Sequence, residues 1–150
     1  MVLAVKAYLS GYKFKCDEKD KFLIHSINIR KMNGRPSYVF HSSKRMLNIA
    51  TEMNEDSCNV LSDEFAHVDA MHDKCRNFKT LTLWVYHPVY LKILSIAVMQ
   101  IETKNADNLE TFWNILNKAI ADFSEGKFTF FNPVGFVADE HHANWLSIKR

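Results

Sequence analysis

Along this chain the spacing of apolar positions switches between a period of two and a period near 3.6, and each switch marks an element. The first forty residues alternate apolar runs with charged punctuation: MVLAVKAYLSGYKFKC, then DEKDK, then FLIHSINIRK, then Met32-Asn33-Gly34-Arg35-Pro36, then SYVFHSS. Asn-Gly between β-prone runs is a hairpin signal. Residues 22–30 are therefore expected to pair with 37–40, with 12–15 as a third member, and DEKDK reads as a solvated turn. From Ser43 the period becomes helical, with Met46, Leu47, Ala50 and Met53 on one stripe and Ser42 or Ser43 available as N-cap. This predicts a helix over 43–53 that ends in the polar stretch 54–59, its Met-bearing stripe serving as core.

Residues 64 to 101 read as three strands. The first is EFAHVDA at 64–70. The second is KTLTLWVY at 79–86, where Leu81, Leu83 and Val85 alternate with Thr80, Thr82, Trp84 and Tyr86. The third is 89–101. Only His87-Pro88 then separates the second from the third, too little for a helical crossover, so the two must be antiparallel. A strongly amphipathic helix follows over 107–123, with Leu109, Phe112, Trp113, Leu116, Ala119, Ile120 and Phe123 forming one face against a sheet. Asp107 with Glu110 suggests a capping-box start, and Ser124-Glu125-Gly126 a stop. Residues 134–138 form a short strand apolar on both faces, which predicts a central strand covered on each side. A helical crossover makes the strands it joins parallel. In the order β-β-β-α-β, the last strand can then lie beside the first.

That order gives two acids a shared address. Asp69 lies on the first of these strands and Asp139 closes the last, so the topology brings them together at neighbouring strand ends, where open sheets place ligand-binding groups. Oxygen-only ligands favour a hard cation, Mg²⁺ or Mn²⁺, and point to phosphoryl-transfer chemistry on nucleic acid. His67 and Asp69 form an H-x-D pair on one strand face, which with His141 or His142 would suit a two-histidine, one-carboxylate iron site. H-x-D recurs by chance, however, and no arginine for an oxoacid co-substrate stands out. Lys74, Arg76 and Lys79 are either phosphate contacts or a hydrophilic turn, and His142 either approaches a phosphate or is an exposed loop residue.

Composition limits the remaining readings. With 150 residues, 47% apolar and 13% aromatic, the chain can bury a core without staples. A charge of +2, from 19 basic and 17 acidic residues, is too balanced to indicate a polyanion partner, so any DNA-binding surface must be local. The three cysteines, Cys16, Cys58 and Cys75, have no C-x-x-C spacing, which suggests a reducing, intracellular setting. The opening MVLAVKAYL is short, interrupted by Lys6 and without a cleavage signal, and reads as a strand; no run is long enough to cross a bilayer, so no membrane partner is expected.

The segments HVDAMHDKCRNFKTLTLWVYHP and FNPVGFVADEHHANWLSI, with SYVFHSSKRMLNIATEM upstream, resemble the catalytic core of eukaryotic Mutator-like (MULE) transposases from about residue 36 to the C-terminus. The resemblance implies an α/β (α+β) fold of the RNase H-like kind, a mixed sheet with a β-β-β-α-β core. It divides the chain into an N-terminal hairpin-and-helix extension, residues 1–60, and a partial core, 61–150. It implies Asp69 and Asp139 as catalytic, metal-holding acids for DNA cleavage and strand transfer, with two ions about 3.5–4 Å apart, and a nuclear setting. The family's third acid, a glutamate on a later helix, has no counterpart before Arg150, and Glu140 is no substitute. The expectation is a truncated or domesticated core, inactive alone, that could self-associate through an exposed edge and an uncovered apolar face. The alternative is a non-enzymatic DNA- or protein-binding module on the same fold.

Overall fold

The structure, a computed structural model, describes residues 24–30, 34–75, 78–102 and 106–138, with backbone alone at 24–25 and 71–75. Among the described residues six strands form one mixed sheet: β1 (Ile24–Asn28), β2 (Tyr38–His41), β3 (Ala66–Cys75), β4 (Phe78–His87), β5 (Lys92–Ile101) and β6 (Phe136–Ala138), in the order β1-β2-β5-β4-β3-β6. Among the same residues two α-helices, α1 (Lys44–Glu52) and α2 (Ala106–Phe123), accompany it. The expected third hairpin member at 12–15 lies outside the described residues.

The period of two in β4 decides which side of the sheet is core. Leu81, Leu83 and Val85 are fully buried, whereas Thr82 and Trp84 are half-buried and Tyr86 is exposed. Across the ladder Leu81 meets Met99 and Leu83 meets Ala97 and Val68, so one face collects the apolar side chains of three strands. Phe40 joins them opposite Met99. Both helices cover that face. Leu47, Ala50 and Met53 of the α1 segment and Leu109, Phe112, Leu116, Ala119 and Ile120 of α2 form one cluster with the strands.

The N-terminal hairpin is antiparallel as its turn residues predict, and β2 continues the sheet by pairing antiparallel with β5. Gly34, at φ 72°, takes the left-handed conformation that a residue without a Cβ adopts at little cost. Of the two serines before α1, Ser43 is the cap: its Oγ accepts the Met46 N–H at 3.3 Å. Ser42 instead donates to the carbonyl of Ile96 at 3.0 Å. Ile96 is the extra residue of a bulge where the β4–β5 register shifts between Leu83 and Trp84, so the hydroxyl meets a carbonyl in an irregular part of the ladder.

Five expectations are corrected. The first of the three strands runs over Ala66–Cys75 rather than 64–70, because its pairing with β4 continues to Cys75 opposite Phe78, so Asp69 is the fourth residue of a ten-residue strand and not at its end. The last strand is Phe136–Ala138 rather than 134–138. The third strand begins at Lys92 rather than at 89, because the chain turns over residues 88–91, with Leu91 at φ 52°. Asp107 is not the cap of α2; the helix starts at Ala106, so Asp107 sits in its first turn, where a negative charge suits the helix dipole. Most consequentially, the strand ending before Asp139 is not central. Among the described residues β6 pairs only with β3, at one edge of the sheet, and Val137 is 47% exposed. The stop of α2 is as expected: Gly126, at φ 84°, donates to Ala121 O at 2.9 Å and closes a Schellman-type end. Among the described residues no helix is long and apolar enough to cross a membrane.

Candidate functional site

Strand β3 alternates with the sheet. Ala66 and Val68 point into the core, at 0% and 4% exposure, so His67 and Asp69 point to the other face. His67 stacks on Trp84, its cross-strand partner, with ring centroids 4.0 Å apart and planes 8° from parallel. Asp69 sits opposite Thr82, exposed, and makes no hydrogen bond or ion pair with any described residue. Its carboxylate oxygens are thus uncommitted, and they are hard donors of the kind Mg²⁺ or Mn²⁺ takes.

The second strand of the site is positioned by aromatic packing and by loop hydrogen bonds. Phe136 of β6 lies edge-on to Trp113, at 5.5 Å, and to Phe131, at 5.9 Å. Asn117 of α2 accepts the Phe131 N–H at 2.8 Å through Oδ1, and Ser124 Oγ accepts the Phe128 N–H at 3.0 Å, which fixes the α2–β6 connection to the helix. Gly135 O then accepts the Ala66 N–H at 3.0 Å. A Cβ at Gly135 would run into the Phe65 ring, so a residue without one lets β6 approach here. The two strands run parallel, with Ala66 opposite Phe136, His67 opposite Val137 and Val68 opposite Ala138. Val68 and Ala138 are the residues immediately before Asp69 and Asp139 in sequence.

Asp139 itself lies outside the described residues, as do Arg76 and His142. Lys74 belongs to β3, where only the backbone is described. Lys79 is half-buried in β4 and shares the alternation of Leu81 and Leu83, which puts it on the opposite face of the sheet from Asp69. Among the described residues no group of three or more His, Cys, Asp or Glu gathers as a metal site.

Two features escape a reading of periodicity. One is a three-donor clamp on Glu102, whose Oε2 accepts from Arg30 Nε at 3.0 Å, Arg30 Nη2 at 2.8 Å and Ser37 N at 3.0 Å. Burial pushes this carboxyl up, but the Arg30 and Ser37 hydrogen bonds and the guanidinium charge outweigh it and hold the group below its ordinary value. The other is a polar cleft of about 630 Å³ on the helix side, between the end of α1, the segment after it and the α2–β6 connection. Its sequence signal, asparagines scattered from Asn48 to Asn132, has no regular spacing.

No protein-family model, no curated protein and no solved structure matches this chain.

Proposed function

We propose that this chain is an RNase H-like core of the Mutator-like transposase kind, related to metal-dependent DNA cleavage and strand transfer in the nucleus, with Asp69 and Asp139 as its cation-holding acids. The observation that carries this reading is the parallel register of β3 and β6, whose last described pair immediately precedes the two aspartates. The strand sequence β5-β4-β3-β6, antiparallel up to β3 and parallel to β6, supports it, because a helical crossover returns the chain beside its first core strand. The exposed, uncommitted carboxylate of Asp69 fits an ion that takes oxygen donors. Bound there, Mg²⁺ or Mn²⁺ would supply electrostatic stabilisation of a phosphodiester oxygen. Asp69 and Asp139 would hold the ion, and phosphate contacts would come from Lys74 and Arg76, Lys79 lying on the opposite face of the sheet.

The test is Mn²⁺ binding by isothermal titration to the wild-type chain and to Asp69→Asn and Asp139→Asn. Weak binding lost in either variant is expected; binding that survives both, or none in the wild type, rejects the site. Asp69→Asn should alter unfolding stability by no more than about 0.5 kcal/mol, since the side chain holds nothing in place. Two acids do not clamp both oxygens of an in-line displacement. The 150-residue polypeptide is therefore expected not to nick supercoiled plasmid with Mn²⁺, and nicking that vanishes in both variants would show that it is active.

A further inference from the structure

The polar cleft lies away from the Asp69 face and owes nothing to the cation reading. Its two walls are the segment leaving α1 and the α2–β6 connection, joined where the Glu55 N–H donates to Asn132 O at 2.9 Å. At about 630 Å³ it falls within the usual range for small-ligand sites. Its lining is unusual for a void that merely separates two elements: carboxamides, carboxylates and an outward phenyl ring.

Asn54 carries the argument. It lines the cleft at only 7% exposure, and its Oδ1 accepts the Asp56 N–H at 3.1 Å, but its Nδ2 donates to no described residue. Buried side-chain amides normally find partners on both sides, so an uncommitted donor at the wall of an open cleft marks where a ligand acceptor fits. Asn132, on the facing wall, also leaves its side-chain amide without a bond to any described residue. Phe130 also lines the cleft and is 54% exposed, so its ring is accessible to a ligand.

The charges narrow the class. Glu52 and Asp56 oppose a single Lys127 across the lining, so phosphates and other polyanions are disfavoured. The ligand must be uncharged, carry hydroxyls that donate to carboxylates and accept from amides, and present one apolar face to a ring. A pyranose sugar meets all three conditions, since its axial C–H face stacks on a phenyl while its hydroxyls point outward. We propose that the cleft binds a neutral carbohydrate of one or two pyranose rings, with Asn54 Nδ2 donating to a sugar oxygen and Phe130 as the stacking platform.

The experiment is saturation-transfer NMR and calorimetric titration of the full chain with maltose, cellobiose and N,N′-diacetylchitobiose, with adenosine and AMP as competitors of other chemistry. At least one disaccharide is expected to bind in the millimolar range. Asn54→Asp keeps the acceptor that caps the following turn, exchanges the donor for a second acceptor and adds a negative charge beside Asp56, so it should weaken binding about tenfold or more in a chain that circular dichroism shows to be folded. Phe130→Ala, at an exposed position, should do the same. No saturation transfer to any of the three sugars, affinity unchanged in both variants, or tighter binding of adenosine or AMP than of every sugar each overturns the proposal.

Discussion

Glu102 ties the end of β5 to the first hairpin, because one carboxylate oxygen takes two guanidinium N–H groups and a backbone N–H. Its folded-state pKa lies below the ordinary value, so it contributes stability that is fully present above the usual carboxylate range. That contribution disappears as pH falls through the lowered folded-state value. Glu102→Gln should therefore cost up to about 1 kcal/mol at neutral pH, the modest figure reflecting an Arg30 side chain that is 56% exposed. The same substitution should cost almost nothing once the carboxylate is protonated, which urea unfolding at the two pH values measures. An equal loss at both would mean that shape rather than charge matters. Nothing local in the sequence announces this clamp, since Glu102 lies 72 residues from Arg30 and 65 from Ser37. That Asp69 lies on a strand was legible from the apolar run around it, but not that the strand continues to Cys75. Ser42 and Ser43 were both legible as caps, but only the β5 bulge assigns Ser42 to Ile96.

Helix α2 was readable from its apolar spacing, and its buried face matches that spacing except at Trp113 and Phe123, which are half-buried. Phe112 is fully buried and stacks obliquely on Phe40 at 5.4 Å, whereas Trp113, expected on the same footing, is half-buried between Phe112 and Phe136. Phe112→Ala should cost about 3–5 kcal/mol. Trp113→Ala should cost clearly less, because part of the indole is already in water. Guanidinium unfolding of the two variants gives the comparison, and an equal or larger loss at Trp113 would reverse the assignment of the helix face. The β4–β5 turn was misread for a physical reason: VYLKIL is apolar enough to look like strand. Instead His87 Nδ1 accepts the N–H groups of Val89 and Tyr90, each at 3.2 Å, and Leu91 takes the left-handed conformation while 69% exposed. Left-handed backbone strains any residue with a Cβ, and Leu91 repays little by packing. Leu91→Gly is therefore expected to stabilise the protein by about 0.5–1 kcal/mol, net of the extra entropy of glycine in the unfolded chain. A lower melting temperature would mean that the Leu91 side chain makes a contact worth more than its strain.

At the scale of the molecule, the arrangement is a sheet covered by helices on one face, and the parallel return of β6 beside β3 was legible from the helical crossover alone. Its edge position was not. An apolar pentapeptide reads as buried on both sides, yet Val134 and Val137 are 45% and 47% exposed, because whether a strand has a second neighbour depends on elements distant in sequence. The difference has a dynamic consequence. Strand β4 lies between two long partners, with Leu81, Leu83 and Val85 fully buried beneath it, so its amides open only when much of the sheet comes apart. Strand β6 has three described residues and one described partner, so separating it from β3 leaves the other five strands paired. Native-state hydrogen exchange should accordingly be slowest in β4, at a free energy close to that of global unfolding, and faster in β6. Added Mn²⁺ should slow exchange in β6 and the adjoining part of β3 in the wild-type chain but not in Asp69→Asn, because an ion held between Asp69, within β3, and Asp139, just after β6, opposes separation of the two strands. If β6 already exchanges as slowly as β4 without metal, the strand is locked in place by some other contact, and metal-dependent protection is no longer a valid readout of the aspartate pair.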